Sequence, residues 1–132
     1  MSLSMHATTA PVFERMLNNM LVWLDRAEAH AVQRKFDASS YLSLKLAPDM
    51  LPLVRQVQIA TDACKGCMAR LAGVELPSWP DDEATMDELR ARVRKALAYV
   101  ASFTPAQIDA GESRAIVVPL RNRDPLQFVG AD

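Results

Sequence analysis

Cysteine is scarce in this chain: Cys64 and Cys67 are the only two among 132 residues. One closely spaced pair draws no disulfide framework of the kind that staples small secreted folds, so a reducing cytoplasm is expected. Histidine is as scarce. His6 and His30 are far apart in sequence and have no metal-ligand spacing to a partner. An excess of charge is missing too, with 15 basic and 16 acidic residues and a net charge of -1. That balance excludes the basic footprint of a nucleic-acid binder and argues against docking on an anionic membrane surface. Long apolar runs are missing: Met16 to Leu24 is interrupted by Asn18 and Asn19 and falls far short of the roughly 20 residues of a spanning helix. Met1 to Pro11 shows no basic stretch followed by an apolar one, so no secretory signal is expected. The chain also has no Gly-rich phosphate loop, nucleophile elbow or H-E-x-x-H motif.

What is present is helical periodicity. Half of the residues are apolar and 23% are charged, ordinary values for a globular chain, and the length suits one domain over residues 1–132. A first helix is expected over Ala10 to Ala31, with Pro11 in its first turn. Val12, Met16, Met20, Trp23 and Ala27 form one apolar row, and Phe13, Leu17, Leu21 and Leu24 form a second beside it. So wide a stripe needs more than one neighbour. Lys35 to Pro48 reads as a connection in which Asp37, Ser39 and Ser40 can cap a single helical turn. Asp49 is the expected N-cap of a second helix of roughly 23 residues, about 35 Å long. Gly73 is its expected left-handed terminator. Trp79 lies between Pro77 and Pro80 in a loop and should rest on apolar surface. Thr85 and Glu88 form a capping box for a third helix, with Met86, Leu89, Val93, Leu97 and Val100 as its seam. Thr104-Pro105 opens a short turn over Ala106 to Asp109. Ala115 to Leu120 and Leu126 to Val129, with Asn122, Arg123 and Asp124 as turn residues, read as a β-hairpin.

The candidate sites are few. Cys64-Lys65-Gly66-Cys67 is a C-x-x-C pair that redox chemistry could use, but it falls within the second helix, where no helix N-terminus lowers a thiol pKa. Helical peroxidases similar to carboxymuconolactone decarboxylase place a histidine three residues after the second cysteine; Arg70 stands there. The plain reading of Cys64 and Cys67 is small core residues. Arg55, Gln58, Asp62 and Lys65 share one polar side of the second helix. They read either as a solvated face of i,i+3 and i,i+4 pairs or as the wall of a pocket between helices. Asp81-Asp82-Glu83 is expected to be a solvated loop. No catalytic residue and no metal ligand is assigned.

The tract from Leu46 to Ala60, followed by Asp62, Lys65 and Arg70 to Glu75, resembles an uncharacterised bacterial domain-of-unknown-function family of the DinB/YfiT-like helical-bundle superfamily. Met1 to Met5 and Pro119 to Arg121 also fit, so the likeness spans essentially the whole chain. The resemblance implies a mainly α, up-down antiparallel helical bundle, often dimeric. Here that means three long helices plus a short C-terminal hairpin, with a fourth helix absent and the sequence stopping at Asp132. Many members of the superfamily bind a divalent metal through three histidines, and some are thiol-dependent transferases or hydrolases. A first metal histidine would fall near the start of the second helix, where this chain has Arg55, Gln56 and Gln58. A divalent metal is therefore an implication of the resemblance with no ligand in this sequence to carry it, and no cofactor is assigned. Two functions follow as expectations. One is a homodimeric binding or assembly module, with a small ligand as a further partner and no complete catalytic site. The other is a metal- or thiol-dependent transferase or hydrolase.

Overall fold

The computed structural model describes residues 3–132. Four helices and a hairpin follow in chain order: α1 (Met5–Arg34), α2 (Leu53–Ala72), α3 (Met86–Ala101), α4 (Pro105–Asp109), β1 (Ala115–Leu120) and β2 (Arg123–Val129). A short 3-10 helix, Ala38–Ser43, lies between α1 and α2, and the Asp37 side chain caps it by accepting from the Ser39 N–H.

α1 begins well before the expected Ala10. Ser4 is its N-cap and accepts from the Ala7 N–H at 3.1 Å. The Asp109 carboxylate then accepts from the Ser4 hydroxyl at 2.8 Å and from the His6 N–H at 2.9 Å. These bonds, the His6 one first, hold the Asp109 carboxyl below the usual carboxylate range. Pro11 therefore lies inside the helix rather than in its first turn. It withholds one N–H on the exposed side, a cost of about 3 kcal/mol that the Ser4 cap offsets only in part.

α2 starts at Leu53 and runs for 20 residues, so Asp49 is not its N-cap. Pro52 holds that position in an extended conformation and without a side-chain cap. A proline disfavours the helical region for the residue before it, which keeps the helix from reaching back through Leu51. Gly73 closes the helix at φ 67° as expected. α3 opens on the expected capping box, in which the Thr85 hydroxyl accepts from the Glu88 N–H at 3.1 Å. α4 is capped by Thr104 in the same way.

α3 is the centre of the bundle. α1 and α2 each pack along it and barely touch one another, while α4 crosses to both. Leu17 and Leu24 of α1, Val57, Met68 and Leu71 of α2, and Leu89, Val93 and Val100 of α3 form the core, with Ile108 closing one end. The two apolar rows of α1 part company. Leu17 and Leu24 are buried and Phe13 and Leu21 pack beside them. In the other row Met20 and Ala27 are partly covered, whereas Val12, Met16 and Trp23 remain 51%, 48% and 52% exposed.

The hairpin pairs Ala115 with Val129, Ile116 with Phe128 and Leu120 with Arg123. Its turn is tighter than expected. Arg123 and Asp124 belong to β2, and Asn122 alone takes a positive φ, 62°. β2 is exposed along its whole length, and the hairpin meets the helices through Ile116.

Candidate functional site

The polar side of α2 meets α3 and the 74–85 connection, and Arg92 lies at the meeting point. Its position explains its burial: it follows Leu89 by three residues and precedes Ala96 by four, so it points with the seam of α3 into the interior. The residue is 4% exposed. Its Nε donates to Thr61 Oγ1 at 2.8 Å. Nη1 donates to the Pro80 carbonyl at 2.9 Å and to Glu83 Oε1 at 3.0 Å, and it lies 3.0 Å from Asp81 Oδ1. Nη2 donates to Asp62 Oδ1 at 3.0 Å.

A second tier surrounds that guanidinium. Arg55 Nη1 donates to Gln58 Oε1 at 2.6 Å and to Asp81 Oδ2 at 2.7 Å. Gln58, 2% exposed, passes the chain on by donating from Nε2 to Glu83 Oε2 at 2.7 Å. Lys65 Nζ donates to Asp62 at 2.9 Å and sits 4.7 Å from the Trp79 ring centroid. Lys95 lies 4.8 Å from the same ring, and Tyr99 meets its edge. Trp79 thus rests on α3 as expected, between cations. Beside it runs an open cleft of about 340 Å³, lined by Trp79, Pro80, Glu83, Glu88, Arg92 and Lys95 among others.

Three cations, Arg55, Lys65 and Arg92, face three carboxylates, Asp62, Asp81 and Glu83. Burial pushes the Glu83 carboxyl up, but the hydrogen bonds from Gln58 and Arg92 outweigh it and hold it below its ordinary value. The Arg55 hydrogen bond holds Asp81 low. Burial works against the Arg92 charge as well, and Glu83 more than restores it. Among the described residues no buried side-chain polar atom lacks a partner. The cluster therefore has matched charge and partnered hydrogen bonds, and Asp81 and Glu83 are held in their ionised forms.

Arg55, Gln58, Asp62 and Lys65 do converge as one wall, but Arg92 fills the space they face. The expectation of a solvated Asp81-Asp82-Glu83 loop is corrected at Glu83. Asp82 stays exposed and unpaired among the described residues and Asp81 stays exposed while pairing with Arg55 and Arg92, whereas Glu83 turns inward to Arg92 because an unpaired buried guanidinium is costly. Thr61 and Arg92 were not among the candidates. The signal for Arg92 was a charge on the buried face of an otherwise apolar seam.

The cysteines lie elsewhere on α2. Both are free, partly buried and packed on the core. Burial, helped by the neighbouring Cys67, pushes the Cys64 thiol up to about 11. Burial also raises Cys67, against the pull of Arg70. His6 and His30 sit near opposite ends of α1, roughly 36 Å apart at 1.5 Å per residue. The His30 ring hydrogen bonds the Tyr41 hydroxyl and meets Phe36 edge-on. No group of three or more His, Cys, Asp or Glu among the described residues could hold a metal ion. Around Arg92 the carboxylates gather on a guanidinium, and His6 and His30 are not brought together, so no histidine-bound metal site is assembled among the described residues. No helix among the described residues is long and apolar enough to cross a membrane.

Comparison with known proteins agrees with this architecture. The family described as "Domain of unknown function (DUF1993)" matches residues 5–132. A crystal structure of a DinB family member protein from Shewanella denitrificans is similar at 34% identity, with a TM-score of 0.80 over 96% of this chain and 71% of that one. No curated protein matches the chain. With the family matched along nearly its full length and the same bundle in a solved relative, the chain belongs to the DUF1993 family of DinB-like helical-bundle proteins.

Proposed function

We propose that the protein is a homodimeric binding and assembly module, working in the cytoplasm, without a complete catalytic site. The observation that carries this reading is the half-exposed row Val12, Met16 and Trp23 on α1. Positions 12, 16, 23 and 27 are symmetric about a point between Asn19 and Met20. A two-fold axis there, with the α1 helices antiparallel, brings Met16 against the partner's Trp23 and Val12 against the partner's Ala27. That large-on-large and small-on-small pairing is what a self-complementary two-fold contact requires. The closed Arg92 cluster supports the absence of catalysis, because its donors and charges are spent on each other. The alternative, a thiol- or metal-dependent transferase or hydrolase, has against it two thiols whose burial disfavours the thiolate.

Sedimentation equilibrium tests the reading. The expected mass is twice the 14.6 kDa of the chain, and Trp23→Glu, which puts a charge at the centre of the contact, should return it to a monomer with unchanged helicity. A wild-type monomer at micromolar concentration would sink the proposal.

A further inference from the structure

A cavity of about 680 Å³ lies away from the Arg92 cluster and from the α1 row. It opens between the start of α1, one side of α2 and the hairpin. Met5, Ala63, Cys67, Ile116, Val118 and Phe128 give it apolar walls. Its volume is in the range of small-molecule sites, which combine such walls with few polar groups. Thr9 also lines it, but its hydroxyl is spent on the Met5 carbonyl at 2.7 Å. Asp132 is a second charged residue on the wall, and its carboxylate accepts from the Val129 N–H at 2.7 Å.

Arg70 is the cation of this cavity. Arg55, Arg90 and Arg92 all have carboxylate partners. Arg70 has neither an ion pair nor a hydrogen-bond partner among the described residues. It is nonetheless seated. A Cβ placed on Gly66 would meet Arg70 Nη1 at 2.5 Å, so the guanidinium lies back over the helix in the space that the glycine leaves. A glycine inside a helix costs about 1 kcal/mol against alanine, and this one sits in the middle of the Cys64-Lys65-Gly66-Cys67 motif. Gly66 leaves room for that guanidinium, and Arg70 itself lines the apolar cavity.

We propose that this cavity binds a small amphipathic monocarboxylate, its apolar chain against the hairpin and α2 and its carboxylate on Arg70. An apolar body fits the walls, and one anionic head supplies the partner that Arg70 lacks. The site goes beyond the assembly role and does not depend on it, since Val12, Met16 and Trp23 do not line the cavity.

Titration calorimetry with dodecanoate, held below its micellar range, tests the site. Wild type should show one saturable site per chain. Arg70→Gln should weaken it about tenfold or more, the usual scale for a charged hydrogen bond. Gly66→Ala, which favours the helix and so guards against mere misfolding, should weaken it several-fold by unseating the guanidinium. Dodecanol, the same chain without the charge, should bind more weakly than dodecanoate to wild type and equally to both variants. Trp23→Glu should leave dodecanoate binding intact while abolishing the dimer. The proposal falls if dodecanoate shows no saturable binding, if Arg70→Gln binds it as wild type does, or if Trp23→Glu removes the site.

Discussion

A buried arginine with all three guanidinium nitrogens engaged is the residue on which the α2–α3 contact turns. Removing one partner of such a network strands the others. Arg92→Ala leaves Glu83, whose side chain is 9% exposed, facing Asp62 and Asp81 without its cation. The expected loss is about 3–5 kcal/mol, the range for breaking a buried pair, read from urea denaturation of the two proteins. The same residues set an acid limit. Glu83 and Asp81 are stronger acids folded than unfolded. Their contribution is complete above the unfolded carboxylate range, around pH 4 to 4.5, and is lost as pH falls through their lower folded values. Stability of the wild type should therefore drop below about pH 4, and Arg92→Ala should show a shallower acid limb. At this scale the sequence was legible only in part. The helical period placed Arg55, Gln58, Asp62 and Lys65 on one face of α2. It could not say that Arg92 would fill that face, because the arginine comes from another helix some thirty residues on. Nor could it say that Asp81 and Glu83 would fold back, since a loop carries no period.

Elements were more legible than sites, because caps and periodicity are local. Gly73 illustrates why. Its φ of 67° is ordinary for glycine and strained for any residue with a Cβ. Gly73→Ala should cost about 1–2 kcal/mol. The Arg114 guanidinium lies over the position and donates to the Leu71 carbonyl at 3.2 Å, so the new methyl must also displace a cap at the end of α2. Thermal unfolding of the variant checks this. A midpoint equal to wild type would mean that α2 ends another way. The two misplaced helix starts have the same local origin. Pro11 and Asp49 both carry start signals, but the Ser4 cap of α1 is completed by Asp109, which is distant in sequence. At α2 a proline three residues after Asp49 overrides the cap. The hairpin turn was misjudged because Arg123 and Asp124 have turn-like chemistry but belong to β2, where Arg123 pairs with Leu120.

For the whole molecule the decisive fact is that α3 is shared. α1 and α2 are held to it on separate sides, by Leu17 and Leu24 on one and by Val57 and Met68 on the other, and hardly touch each other. Arg90 repeats the role of Arg92 on the α1 side. It is 5% exposed, donates to Asp25 and Asp87 at 2.8 Å each, and pairs with Glu28. Two arginines two positions apart thus tie α3 to both flanking helices. Burial of Leu89, Val93, Ala96 and Val100, all at 1% or less, means that α3 cannot open without breaking the core. The hairpin is the opposite case: two strands, exposed edges and a thin apolar contact through Ile116, an arrangement that is marginal on its own. Amide hydrogen exchange should therefore be slowest in α3, near the global unfolding limit, and fastest in β2. Adding a ligand of the hairpin cavity should slow β1 and β2 most and leave α3 where it was, because the hairpin, the start of α1 and one side of α2 line that cavity and α3 does not. Forming the α1–α1 dimer should slow the amides of α1 around Met16 to Trp23 instead. If β2 exchanged as slowly as α3 without ligand, the hairpin would have to be covered by a second copy, and the two-fold axis would belong there rather than on α1.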